Sequence, residues 1–154
     1  MPPLQEVLLP AQADDVLELD EVWSFVQKKS NPSWTWIGLC RRTLEVVTYA
    51  VGGRGIETCQ QLKQSIPPMY HHAATVSDYW EAYRSVFGDN HRCVGKESGE
   101  TNHIERWNNT LRQRLGRFVR KTLSFSKNHQ NHEASLLLFI HHYNAHARHR
   151  YLFQ

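Results

Sequence analysis

The sequence predicts an α/β domain: three antiparallel strands followed by βα units, forming one mixed sheet with flanking helices. Three observations predict it. Three β-rich runs follow one another between residues 16 and 51 with only short turn segments between them, the pattern of an antiparallel meander. From residue 56 onward, helical apolar spacing alternates with short apolar runs, the pattern of strands joined through helices. The length, 154 residues, suits a single core.

Each element has its own signal. Residues 1–15 are polar and carry prolines, and are expected to form a lead-in segment. Residues 16–26 alternate apolar and polar types in part and read as the first strand. The Lys28-to-Ser33 stretch is turn chemistry; residues 34–40 and 46–51 read as the second and third strands, the last stopped by Gly52-Gly53. Ile56, Cys59, Leu62 and Ile66 share one face of a helix that Pro67-Pro68 ends. Residues 73–76 read as a short buried strand, 79–87 as a helix closed by Gly88, and 91–94 as a further short strand. A loop at 95–100 leads to a basic helix expected over about 102–120, with Ile104, Trp107, Leu111, Leu115 and Phe118 as its apolar stripe. A last helix, about 132–146, is expected to pack Leu136, Leu137, Phe139, Ile140 and Tyr143 on the body. Trp34, Trp36 and Trp80 are expected in the core.

Composition excludes several classes. No apolar run approaches the roughly 18 residues of a membrane span, and the N-terminus lacks the basic and apolar regions of a secretory signal. Three isolated cysteines, Cys40, Cys59 and Cys93, form no C-x-x-C pair, which argues against a disulfide framework or a cysteine zinc knuckle. A reducing, cytoplasmic setting is expected. The net charge of +3 hides a division: residues 1–105 carry 9 Lys/Arg and 14 Asp/Glu, a net −5, whereas residues 106–154 carry 9 Lys/Arg and one acid, a net +8. An acidic site beside a polyanion-binding surface is the expectation.

Three carboxylates stand at informative places. Asp20 lies inside the first strand, Asp78 where the fourth strand gives way to a helix, and Glu105 in the first turn of the basic helix. Strand ends in α/β sheets gather ligands, and clustered carboxylates suit Mg²⁺ or Mn²⁺, whose charge offsets their repulsion. Each also has a plainer role open to it: a solvent-facing strand residue for Asp20, a helix N-cap for Asp78, a complement to the helix dipole for Glu105. Glu18, Glu21, Asp14, Asp15, Asp89, Glu97 and Glu100 compete, and Glu18 shares Asp20's strand face.

The stretches Leu19-Asp20-Glu21-Val22-Trp23-Ser24-Phe25-Val26 and Ser77-Asp78-Tyr79-Trp80-Glu81-Ala82-Tyr83 resemble the two aspartate segments of the insertion-sequence-one type of bacterial DDE transposases. So does the run from Ile104-Glu105-Arg106-Trp107-Asn108-Asn109 through Leu111-Arg112-Gln113 to Lys121-Thr122-Leu123-Ser124-Phe125-Ser126-Lys127, which matches the segment bearing that family's glutamate. The resemblance covers about residues 16–142. It implies a ribonuclease-H-like DDE catalytic domain over 16–127, with 128–154 as a C-terminal helical extension. It also implies metal-dependent cleavage and strand transfer of DNA, with Asp20, Asp78 and Glu105 holding two Mg²⁺ or Mn²⁺ ions about 3.5–4 Å apart. The same acids would serve a nuclease that only hydrolyses, and a non-catalytic DNA-binding remnant is the reading from another class.

The family further implies an upstream zinc-binding and helix-turn-helix region made by frameshifting from a preceding reading frame. The residues before Val16 do not accommodate one, so the chain is expected to be a second-frame product or catalytic fragment that acts with such a partner, as a homo-oligomer on double-stranded DNA, in the bacterial nucleoid. The expected DNA track is Arg106, Asn109, Arg112, Arg117, Arg120, Lys121 and Lys127: seven Lys/Arg and no acid occupy residues 106–127. Asn109 and Arg112 fall on Glu105's helical face. His142, His146 and His149 are spaced along one helix face but lack a carboxylate or cysteine partner in sequence, and are expected on a polar surface. His103 is expected as a first-turn residue near the site.

Overall fold

Alternation along the first strand divides its side chains between two cores. In the computed structural model, which describes residues 2–115 and 129–154, this strand is β1 (Val16–Phe25). Leu17 and Leu19 enter one apolar cluster; Glu18 and Asp20, pointing the opposite way, face a second helical layer through His103 and Asn108. β2 (Pro32–Cys40) and β3 (Val46–Gly52) complete the meander. β1 and β2 pair antiparallel from Leu17↔Cys40 to Phe25↔Pro32, and β3 lies antiparallel to β2. Near-continuous burial along β1 and β2 follows from helices covering both faces.

The chain then crosses to the other edge of β1. Helix α1 (Ile56–Gln64) leads to β4 (Ala74–Ser77), and α2 (Glu81–Phe87) to β5 (His91–Cys93). Both strands run parallel, giving a five-stranded mixed sheet of order β3-β2-β1-β4-β5. Three antiparallel strands followed by βα units are therefore present as expected. α1 and α2 cover one face through Cys59, Leu62, Tyr83 and Phe87. α3 (Asn102–Arg114) and α4 (His129–Phe153) cover the other through Ile104, Trp107, Leu111, Leu136, Phe139 and Ile140.

Three helices have boundaries that differ from the sequence expectation. α2 starts at Glu81 because the Asp78 carboxylate takes the N–H of Trp80 (3.0 Å), which stays extended. α3 ends at Arg114, where Leu115 adopts extended backbone (φ −115°, ψ 103°) just before a glycine in the sequence. α4 runs well past both expected ends, since no Gly or Pro interrupts residues 129–153. Leu138 points outward, 60% exposed.

Polar contacts tie the outer segments down. Asn144, fully buried on α4, accepts from Val46 N–H (2.7 Å) and donates to Val46 C=O (2.9 Å), so its amide acts as one more strand residue on the β3 edge. Buried Glu45 accepts from Leu9 N–H (3.1 Å) and from Arg148 (3.1 Å). Arg42 clasps Asp15 (2.7 Å) and Pro10 C=O (3.0 Å). The lead-in is thereby fastened to the sheet. Replacing Asn144 by Ala strips both partners from Val46 in the core. Urea unfolding of N144A is expected to show a loss of about 2–4 kcal/mol; a loss under about 0.5 kcal/mol would mean this amide does not hold α4 on the sheet.

Candidate active site

The site begins where β4 stops. Pairing between β1 and β4 covers only Val16↔Ala74 to Glu18↔Val76, so the second half of β1 has no strand neighbour on that side among the described residues. Asp20 and Glu21 sit at the opening and Asp78 is the first residue beyond β4. Carboxylate oxygens from Asp20, Glu21 and Asp78 all lie within 4.8 Å of one another. They line a cleft of about 410 Å³, to which α3 contributes Glu105, Asn108, Asn109 and Arg112.

α3 is placed by a carboxylate from the sheet. Thr101 at its N-cap makes no capping side-chain bond. Glu18, fully buried, does so from β1: Oε1 accepts the N–H groups of His103 (3.0 Å) and Ile104 (3.2 Å), and Oε2 accepts from His103 Nδ1 (2.8 Å) and Arg41 Nε (3.0 Å). Free N–H groups and the dipole at a helix start favour such an anion. Helical spacing then brings Glu105, and one turn later Asn108, over β1. Asn108 Nδ2 donates to Asp20 Oδ2 (2.8 Å), while the N–H of Glu21 donates to Asp20 Oδ1 (2.8 Å).

The electrostatics are those of crowded acids. Burial, then the Glu21 charge, with further contributions from Asp78 and Glu105, push the Asp20 carboxyl up to about 7, against the pull of the Glu21 N–H. Burial also raises Glu21, opposed by its bonds from Tyr83 OH (2.8 Å) and Arg54 (3.1 Å). The Arg54 guanidinium lies between the Trp34 and Trp80 rings, 4.6 and 4.1 Å from their centroids, a cation–π arrangement that holds it at the cleft rim.

The structure brings Asp20, Asp78 and Glu105 to one cleft; Glu105 lies outside the tight set that Asp20 and Asp78 form with Glu21. Asn109 and Arg112 line the same cleft, whereas Arg106 is exposed and does not. Arg117, Arg120, Lys121 and Lys127 lie outside the described residues. Sequence reasoning missed Arg54, Lys96, Asn108 and the part played by Glu21. Period-two alternation puts Glu21 on the face opposite Asp20, and only the early end of β4 lets both reach one edge. The consecutive Asp-Glu pair was the one available signal. Other competing acids are engaged elsewhere: Glu18 caps α3, Asp15 binds Arg42, and Glu100 binds Arg92. Trp36 is a core residue as expected, but Trp34 and Trp80 are partly exposed and flank Arg54. His142, His146 and His149 are exposed. Among the described residues they belong to no cluster of three or more metal-ligating side chains.

Residues 15–147 match the family model described as IS1 transposase. The insertion element iso-IS1n protein InsB of Shigella dysenteriae is 40% identical over 126 residues, covering 81% of this chain and 93% of that protein. An insertion element IS1 protein InsB of Shigella flexneri is 34% identical over 116 residues, covering 75% of this chain and 86% of that protein. The insertion element IS1 4 protein InsB of Escherichia coli (strain K12) is 34% identical over 116 residues, covering 75% and 68%.

The raised Asp20 carboxyl has a consequence for stability. Its proton is bound more tightly in the folded chain, at about 7, than in a free side chain, at 3.8. The resulting stabilisation is complete below about pH 4 and is lost as the pH rises through 7. In chelator-treated protein the melting temperature should fall more between pH 4 and 7 for wild type than for D20N, whose amide does not titrate. Parallel pH profiles for the two would show that Asp20 keeps an ordinary pKa.

Proposed function

The chain belongs to the IS1 transposase family, and from that premise we propose that its acidic cleft is a DDE active site on a ribonuclease-H-like sheet, cutting phosphodiester bonds in DNA and joining the freed strand to target DNA. One observation carries the reading. Asp20, Asp78 and Glu105, from β1, the end of β4 and α3, line a single cleft at the point where β1 loses its neighbour. The sequence resemblance implies catalytic acids at these same three residues, which supports the reading.

The donor set fits divalent metal ions. It consists of carboxylate oxygens, the hard ligands that Mg²⁺ and Mn²⁺ take. Four acids, Asp20, Glu21, Asp78 and Glu105, crowd the cleft, and the Asp20 carboxyl, raised first by burial and then by the neighbouring acids, carries repulsion that a cation would offset. Glu21 already bonds Arg54 and Tyr83, so Asp20, Asp78 and Glu105 are the residues assigned to hold the metal. When bound, two such ions supply activation of the attacking oxygen and stabilisation of the departing 3′ oxygen.

The chain's own residues orient the substrate around that centre. Asn109 and Arg112 follow Glu105 along one face of α3 into the cleft, where they can hold phosphates beside the scissile bond. Arg106, Arg117, Arg120, Lys121 and Lys127 extend the track, giving salt-dependent, weakly sequence-specific affinity. Residues 16–127 form the catalytic domain and 128–154 the extension packed on it. An upstream-frame zinc/helix-turn-helix partner reads the element ends, and copies of this chain assemble on the DNA in the bacterial nucleoid. Among the described residues no helix is long and apolar enough to cross a membrane.

The test is a Mg²⁺-dependent assay on end-labelled duplexes bearing element ends, scoring cleavage and joining separately. D20N, D78N and E105Q should each lose both activities by at least about a thousandfold while keeping wild-type circular dichroism. A variant with full activity removes its residue from the site. Cleavage without joining would identify a hydrolase, and Mn²⁺ binding unaffected by D78A would favour a non-catalytic remnant.

A further inference from the structure

Asn108 is an odd residue to find where it lies. It sits on α3 beside the apolar stripe of Ile104, Trp107 and Leu111 and is 3% exposed. One half of its amide is accounted for, since Nδ2 donates to Asp20 Oδ2 at 2.8 Å. The other half is not: Oδ1 is buried with no hydrogen-bond partner among the described residues. Leaving a buried acceptor unpaired destabilises a protein, and an apolar side chain of the same size would avoid that cost. Packing therefore does not explain an asparagine here.

The amide lines the acidic cleft, and the surroundings narrow what its oxygen can receive. An acceptor needs a proton donor. Ionised carboxylates and phosphodiester oxygens have none to give, and the cleft's own donors Arg54, Lys96, Asn109 and Arg112 make no hydrogen bond to it. Water in the hydration shell of a divalent cation is a donor, polarised by the charge it surrounds. Residues that orient metal ligands through hydrogen bonds make contacts of this kind.

We propose that Asn108 is a positioning residue of the cation site: its Nδ2–H fixes the Asp20 carboxylate, and its buried Oδ1 accepts a hydrogen bond from water carried by the bound cation. The assignment rests on the metal-binding role proposed for Asp20.

The experiment measures Mn²⁺ binding to the full chain by electron paramagnetic resonance of free Mn²⁺, together with melting of the metal-free protein. N108L, close in size and apolar, should bind Mn²⁺ about tenfold more weakly, yet melt at the wild-type temperature or above. Unchanged affinity in N108L overturns the assignment, as does weaker binding accompanied by a lower metal-free melting temperature. If N108L does not fold, N108A decides by affinity alone, a tenfold loss supporting the role and wild-type affinity overturning it. Wild-type protein that binds no Mn²⁺ overturns the metal-site reading and this assignment together, whereas wild-type binding retained in full by N108L overturns this assignment alone.

Discussion

The buried carboxylate of Glu18 carries four hydrogen bonds, two from the first backbone N–H groups of α3 and two from the side chains of Arg41 and His103. A fully buried charge survives only when paired and hydrogen-bonded in this way. The consequence is geometric. α3 has no side-chain cap of its own, so its start is held by a residue of β1, two positions before Asp20 and on the same face. One strand thus supplies both the anchor of the helix and the central acid of the cleft. Glu105 and Asn108 reach Asp20's neighbourhood because Glu18 sets where α3 begins.

A second constraint is the brevity of β4. Its four residues leave β1 open beyond Glu18, and the Asp78 carboxylate turns the chain by taking the N–H of Trp80. An open strand edge beside a crevice is where α/β sheets collect ligands. The acids gathered there work against one another, adding to the burial that raises the Asp20 carboxyl. Glu21 is restrained by Arg54, itself held between two indoles, and by Tyr83 from the opposite helical layer. Perturbed carboxyls in a cleft mark a site shaped for chemistry more than for stability.

The charge division falls within α3. Its first turn holds Glu105 and its last turn Arg112 and Arg114, an order that suits the helix dipole at both ends. Of the 14 acids in residues 1–105, three are spent inside the fold, where Asp15, Glu18 and Glu45 pair with Arg42, Arg41 and Arg148. Four other acids, Asp20, Glu21, Asp78 and Glu105, line the cleft. Net charge alone therefore overstated how much acid faces a ligand.

Much of the architecture was legible from local pattern. β-rich runs between turn segments located β1, β2 and β3, helical spacing located α1 and the stripe of α3, and Asp20, Asp78 and Glu105 stood out by their positions in those elements. Local pattern also assigned Glu21 to the far face and left Glu18 as one more competing acid. It continued α3 beyond Arg114 and ended α4 too soon. Periodicity reports which way a side chain points within its own element; it does not report where the neighbouring strand stops or which helix start lies within reach. By itself, the sequence determined the strand order of the meander, the helical stripes and the candidate acids, because these depend on residues a few positions apart. Only the tertiary structure decided that Glu18 caps α3, that Glu21 turns into the cleft, and that Asn108 meets Asp20. Each depends on contacts between segments far apart in the chain, and packing of both helical layers on one sheet sets those distances.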